Sequence, residues 1–325
     1  MKKNIYTILF LILVAFNCKA QQLQLSTNYI LNNYAYNPAI AGSKPFSVVN
    51  LNYRNQWVGF QDAPKTYMLS IYNSIGKDKK IGVGFFLNSE NSGLLSKTTS
   101  YVTFAYHLKL NNRYKLGFGI SAGMIQYRIK LYDAKIADAG DNLLTGNLLN
   151  NNVFDSNTGL YLYSDKLFFG ISTYQYLSNK ITWKDSKSNL SAHYYSTIGY
   201  SIKANEKVII QPSALIKFNY PRLFQPELSV RAIYKNTFWI GTSYRTNDAL
   251  CALVGFVAKE KLTVAFAYDF TTSKIKKNTT GSHELSIVYH FIKKKKKLNV
   301  DEEEFNDIDN SIHSKLKKQN EQKNK

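Results

Sequence analysis

The residue types in this 325-residue chain best suited to metal binding or nucleophilic chemistry are five His and two Cys. His107, His193, His283, His290 and His313 are scattered, and no pair has the i, i+4 spacing that would set two imidazoles on one helix face. No phosphate-binding glycine loop occurs. Ser286 and His290 share one face of an alternating segment, the face an outer-membrane lipase would use. A strand rises about 3.3 Å per residue, which keeps the two too far apart for a direct hydrogen bond. Arg54, Lys65, Lys115, Arg231 and Arg245 interrupt otherwise apolar or small-residue segments and read as lumen or rim charges facing water. These residues predict no catalytic centre, no metal site and no cofactor.

The elements that would position these residues begin after an export leader. Met1-Lys2-Lys3 is a basic start, Ile5 to Phe16 is an apolar run broken only by Thr7, and Cys18-Lys19-Ala20 offers small residues for cleavage. Residues 1–20 are therefore expected to be a signal peptide, and the mature chain to start at Gln21. A lipoprotein reading would use Cys18, but Phe16 and Asn17 are poor neighbours for that processing. Cleavage leaves Cys251 alone, so no internal disulfide forms. Lys and Arg total 42 against 22 Asp and Glu, a net charge of +20. Such a balance suits nucleic acid or an anionic surface, and export removes nucleic acid as a partner.

No run of 18 apolar residues follows the leader, so no spanning helix is expected. Instead, alternation of period two recurs. Between 101 and 110 the apolar set is Val102, Phe104, Tyr106, Leu108 and Leu110, with Thr103, Ala105, His107 and Lys109 between them. Between 113 and 124, Tyr114, Leu116, Phe118, Ile120, Ala122 and Met124 alternate with Lys115, Gly117, Gly119, Ser121 and Gly123. The pattern recurs at 261–270 and at 284–291. A soluble sandwich would carry abundant charge on its second face. Here that face is Gly, Ala, Ser and Thr, which suits the lumen of a barrel whose apolar face meets lipid. The predicted fold is all-β: a transmembrane antiparallel barrel over 46–292, with a short plug-like segment at 21–45.

Fourteen strands are expected near 46–55, 65–73, 80–88, 98–110, 113–125, 155–163, 166–174, 192–203, 207–219, 226–234, 237–245, 249–258, 261–270 and 282–292. Tight polar turns such as Lys235-Asn236 and Lys259-Glu260 alternate with longer links at 56–64, 89–97, 126–154, 175–191, 220–225 and 271–281. That asymmetry is the outer-membrane pattern, with long loops outside the cell. The last strand ends on Phe291, a terminal aromatic resembling the signal by which such barrels are recognised for assembly. Beyond it, five lysines at 293–297 and the acidic stretch Asp301 to Glu304 predict a flexible, solvated tail over 293–325. The tail is expected in the periplasm, free to meet a partner there or anionic head groups.

The start of the mature chain carries a more specific pattern. Asn37-Pro38-Ala39-Ile40-Ala41-Gly42 is followed by Tyr53-Arg54-Asn55-Gln56-Trp57-Val58-Gly59-Phe60 and by Ala63-Pro64-Lys65-Thr66. The order NPA-x-AG, Y-R-x-Q-W, A-P-x-T resembles the PorP/SprF family of type IX secretion outer-membrane proteins. Tyr268-Asp269-Phe270 and Gly281-Ser282-His283-Glu284-Leu285 fit as well, and the resemblance spans roughly 25 to 292. It implies a non-enzymatic barrel that assists export or surface attachment of particular cargo, such as large adhesins, and sometimes serves gliding motility. Its implied partners are outer-membrane lipid, secretion-system subunits and the secreted cargo. Asn37, Pro38, Ala39, Gly42, Arg54, Gln56, Trp57, Pro64 and Lys65 are the candidate partner-binding residues. A second reading is a transporter of small or greasy solutes similar to FadL-type barrels, which also have fourteen strands and an N-terminal segment in the lumen. The roughly 25 residues before the first strand make a modest plug and little of a ligand-binding hatch.

Overall fold

The computed structural model describes residues 26–130, 148–183, 186–219 and 223–292. The expected leader (1–20), the first residues of the plug segment (21–25) and the charged tail (293–325) lie outside the described residues.

The alternating segments form antiparallel strands: β1 (Ser47–Val58), β2 (Lys65–Ile75), β3 (Ile81–Ser92), β4 (Leu95–Lys109), β5 (Lys115–Lys130), β6 (Leu148–Tyr163), β7 (Leu167–Tyr174), β8 (Lys180–Trp183), β9 (Ser186–Asn189), β10 (His193–Tyr200), β11 (Ile202–Lys203), β12 (Val208–Asn219), β13 (Leu223–Tyr234), β14 (Phe238–Arg245), β15 (Ala249–Ala258), β16 (Leu262–Thr271) and β17 (Gly281–Phe291). β8 and β9 pair only with each other. β10 and β11, interrupted at Ser201, form one stave against β12. The wall therefore has fourteen staves, and it closes where β1 meets β17, with Ser47 opposite Phe291 and Arg54 opposite Glu284. Closure pairs every edge, the condition a β-structure must meet in hydrocarbon.

The period-two pattern resolves into two surfaces. Val102, Phe104, Tyr106, Phe118, Ile120, Val264, Phe266 and Leu285 point outward and are exposed, while Thr103, Ala105, His107, Ser121, Ala265, Ala267 and Glu284 point inward and are buried. The outward face meets lipid. A charge there loses its hydration, so Phe118→Arg is expected to cost about 2–4 kcal/mol near mid-membrane. Urea titration of the folded barrel, read by heat-modifiable mobility, checks this.

Short connections gather at one end, where β1 begins and β17 finishes, here called the turn end. Lys235-Asn236 and Lys259-Glu260 both carry paired positive φ angles of 47–60°, the left-handed geometry that suits two-residue hairpins. The opposite, loop end holds the connections after β1, β5, β7 and β16. One expected long link is absent. Residues 89–97 are almost wholly strand, with only Gly93 and Leu94 between β3 and β4. Likewise β5 and β6 run to Lys130 and from Leu148. Ser89 to Ser92 lacks apolar alternation, so it reads as loop, yet the ladder continues through pairs such as Glu90 and Lys97. Pairing above the lipid belt does not need an apolar face.

Candidate functional site

The lumen is where the sequence concentrates unusual chemistry, and it is filled. Residues 26–46 run through it in two 3-10 turns, Asn33–Ala35 and Pro38–Ile40, before entering β1. Tyr29, Tyr34, Tyr36, Ala39, Ile40 and Ala41 are buried against inward-facing side chains of the wall. Opposite walls are bridged: Tyr29 Oη lies 2.8 Å from Ser213 Oγ on β12, and Tyr34 Oη 2.6 Å from Thr103 Oγ1 on β4.

Toward the loop end the segment is held by an ionic clamp. Arg54 on β1 pairs with Asp269 on β16 at 2.6 Å and with Glu284 on β17 at 3.0 Å. Arg245 on β14 pairs with Glu227 on β13 at 2.9 Å, with Asp248 at 2.8 Å and with the same Asp269 at 3.3 Å. Thr27 sits between the guanidiniums. Its hydroxyl accepts from Arg54 Nη1 at 3.1 Å and from Arg245 Nη2 at 2.9 Å, and donates to Asp269 Oδ1 at 2.8 Å. Glu284 accepts from Ser26 Oγ (2.6 Å), Thr27 N (2.7 Å), Asn28 N (3.0 Å), Asn52 Nδ2 (2.9 Å) and Arg54 Nη1 (3.0 Å). Arg54, Arg245, Glu227, Asp269 and Glu284 are each no more than 2 % exposed. Buried charges persist only when paired and hydrogen-bonded, and here a segment of the chain itself completes the pairing. The clamp is built to hold a strand of polypeptide through its amides and hydroxyls.

Toward the turn end the segment meets a different surface. Asn37 caps the second 3-10 turn by accepting from Ala39 N at 2.9 Å, and its Nδ2 donates to the carbonyls of Leu160 (2.8 Å) and Ile171 (3.3 Å). Pro38, at the first position of that turn, has no N–H to leave unpaired. The wall facing Pro38 to Gly42 is lined by glycines. A Cβ on Gly119 would collide with Pro38 and Ala39, one on Gly82 with Ala41, and one on Gly159 with the Asn37 side chain. Gly42 adopts φ +80°, and a Cβ there would collide with Gly82. His107 Nε2 donates to the Ala41 carbonyl at 2.7 Å, since a carbonyl can only accept, and Nδ1 is then left to accept from Tyr163 Oη at 3.0 Å.

The residues singled out in the sequence thus separate into three groups. Asn37, Pro38, Ala39 and Gly42 dock the plug onto the glycine-lined wall. Arg54 belongs to the clamp. Gln56, Trp57, Pro64 and Lys65 surround the first loop-end connection: Gln56 N donates to Pro64 O at 2.9 Å, and Trp57, at φ 52°, donates its N–H to Ser282 Oγ at 3.0 Å. Lys65 is exposed at the start of β2 and lines a shallow rim cleft with Asn55, Phe60 and Asp62. Phe291 ends β17 exposed and packs edge-on against Tyr289 with centroids 4.7 Å apart.

One expectation needs correcting. Arg54, Arg231 and Arg245 face the lumen but not water, because the plug and neighbouring side chains seal them. Glu227, Asp269 and Glu284, the partners of Arg54 and Arg245, have no place in the sequence reading of the lumen charges, and Arg231 instead donates to Gln211 Oε1. A usable signal exists: acids at inward parity on alternating strands, as Asp269 is in step with Thr263, Ala265 and Ala267. Gly119-Ile120-Ser121-Ala122-Gly123 spells the G-x-S-x-G of a nucleophile elbow. It runs through the middle of β5, where Ser121 Oγ lies 2.7 Å from Thr103 Oγ1, without the strand-to-helix turn that motif requires. Ser286 Oγ accepts from Asn52 Nδ2 at 2.7 Å, and His290 lies 3.5 Å from Lys44 Nζ.

Among solved structures, the CymD monoaromatic hydrocarbon channel is similar at 12% identity and TM-score 0.50, covering 83% of this chain and 95% of that one. The Ralstonia pickettii toluene transporter TbuX shows 11% identity and TM-score 0.47, with 80% and 93% covered. A Pseudomonas aeruginosa FadL homologue shows 12% identity and TM-score 0.46, with 79% and 93% covered. At this identity the likeness concerns the fold. No curated protein sequence matches the chain. The model of the type IX secretion system membrane protein family PorP/SprF matches residues 18–289, from before the plug to within the last strand. This plugged, fourteen-stave outer-membrane barrel belongs to the PorP/SprF family of type IX secretion system membrane proteins.

Proposed function

We propose that this barrel assists the export or surface attachment of specific cargo proteins, such as large adhesins, through contacts with cargo and secretion-system subunits. The observation that carries the reading is the filled lumen: a segment anchored at both ends occupies the space a passing solute would need. Contacts then fall to the rim and the ends of the barrel. With the long loops at the cell surface, Gln56, Trp57, Pro64 and Lys65 are offered to cargo, while the tail 293–325 is offered to a periplasmic partner. Tail and machinery would share one compartment, so deleting 293–325 is expected to lower secretion while leaving barrel levels intact. Quantifying both in membrane and culture fractions checks this.

A second reading, passage of small hydrophobic solutes, is favoured by the likeness in architecture to the CymD channel. One comparison separates the two: the surface proteome of cells with and without this gene at matched growth. Loss of one or a few large surface proteins, retained in the periplasm, supports the secretion role and identifies the cargo. An unchanged surface proteome with impaired uptake of a hydrophobic solute supports the transporter.

A further inference from the structure

The two halves of the plug are held by different physics. In the turn-end half the contact is backbone against glycine, and both the amide nitrogen and oxygen of Asn37 and both ring nitrogens of His107 are engaged. The half from Ser26 to Asn33 is unlike this. Among the described residues, Asn28 Nδ2 and Oδ1, Asn32 Nδ2 and Asn33 Oδ1 are buried without hydrogen-bond partners. On the wall beside them, Asn50 Oδ1, Asn52 Oδ1 and Arg54 Nε are also unmatched. Asn50 touches the segment through Leu31 O, and Asn52 and Arg54 touch it through Glu284 and Thr27. From Tyr34 to Phe46 the corresponding set on the segment is Ser43 Oγ, with Thr197 Oγ1 and Lys217 Nζ on the wall beside it. Unmatched buried polar groups favour any state that lets water reach them. The loop-end half buries Tyr29 against the wall, but its first residues, Ser26, Thr27 and Asn28, are fastened by polar bonds that water can replace, whereas the turn-end half is fastened by shape.

We propose that Ser26–Asn33 is a releasable strap and Tyr34–Phe46 a permanent plug. Leaving the clamp lets water or a competing polypeptide reach Glu284, Asp269 and Thr27's place between the two arginines. Release opens the lumen on the side walled by β12–β17 and β1, with the turn-end plug still in place. The inference rests on the lumen geometry and holds whichever function the barrel serves.

Single-cysteine labelling tests this in the intact barrel purified from outer membranes, with Cys251→Ala as the parent and blank. Asn28→Cys replaces a side chain that bonds to nothing, and Ser43→Cys is a near-isosteric change in the permanent half; both positions are buried. The expected result is maleimide labelling of Asn28→Cys at least about tenfold faster than Ser43→Cys, as opening of a low-stability unit implies. Adding Asp269→Asn should quicken the first and not the second. Equal rates at the two positions, or no labelling at Asn28→Cys, would overturn the strap. Should Asp269→Asn fail to assemble, the two single-cysteine proteins decide alone.

Discussion

Arg54→Ala is expected to be the most damaging single substitution in the lumen. The guanidinium bonds Asp269, Glu284 and Thr27 at once. Its removal leaves two carboxylates buried with their charge only partly matched. Breaking a buried pair from one side costs about 3–5 kcal/mol, because the remaining ion cannot recover its hydration. Arg245 still pairs with Asp269, so the larger loss falls on Glu284, which keeps only Ser26, Thr27, Asn28 and Asn52. The cost is expected as a lower urea midpoint and reduced barrel in the outer membrane. Removing charge from both sides, as in Arg54→Met with Glu284→Gln, should recover part of the loss. A double mutant no more stable than Arg54→Ala would show that packing, not charge, holds this corner. Arg54→Lys should stay well below wild type, since an ammonium cannot bridge two carboxylates and a hydroxyl in one plane.

Gly119→Val is the second large effect and has a different character. A Cβ at Gly119 lands on the backbone of Pro38 and Ala39, which cannot yield as a flexible side chain could. Overpacking commonly costs about 1–3 kcal/mol, and more where backbone must shift. β5 itself tolerates valine, a good strand residue with pairing on both sides. The expected outcome is a barrel that assembles with its plug displaced. Single-channel recording should show a conductance larger than wild type, and protease should cut within 26–46. The outward neighbour Phe118→Val changes neither. A closed, protease-resistant Gly119→Val barrel would mean that the glycine-lined wall does not position the plug.

The fold was legible in the sequence because period-two alternation is a local property. Each of the fourteen staves carries its own apolar face, and lipid outside with small residues inside gave that face one direction. Tyr101 to Leu110 and Leu262 to Phe270 could be assigned inward and outward residue by residue. Legibility ended where alternation ended: Ser89 to Ser92 and the loop-end reaches of β5 and β6 are strands by pairing with neighbours, which one segment does not display.

The motif Asn37 to Gly42 was visible as a pattern, and its residue types already implied a tight, capped turn. Its role was set by Gly82, Gly119 and Gly159, brought opposite by strands 40 to 122 residues away in the chain. The clamp is the clearest division between the two levels. The sequence determined that Arg54 and Arg245 sit in the lumen or at the rim of a barrel. Only closure of β1 on β17, with β13 to β16 alongside, decided that they meet Glu227, Asp269 and Glu284. Only the entry of Thr27 between them turned water-facing charges into a sealed ionic site. Charge pairing depends on distances between strands remote in the chain, and the tertiary structure alone sets those.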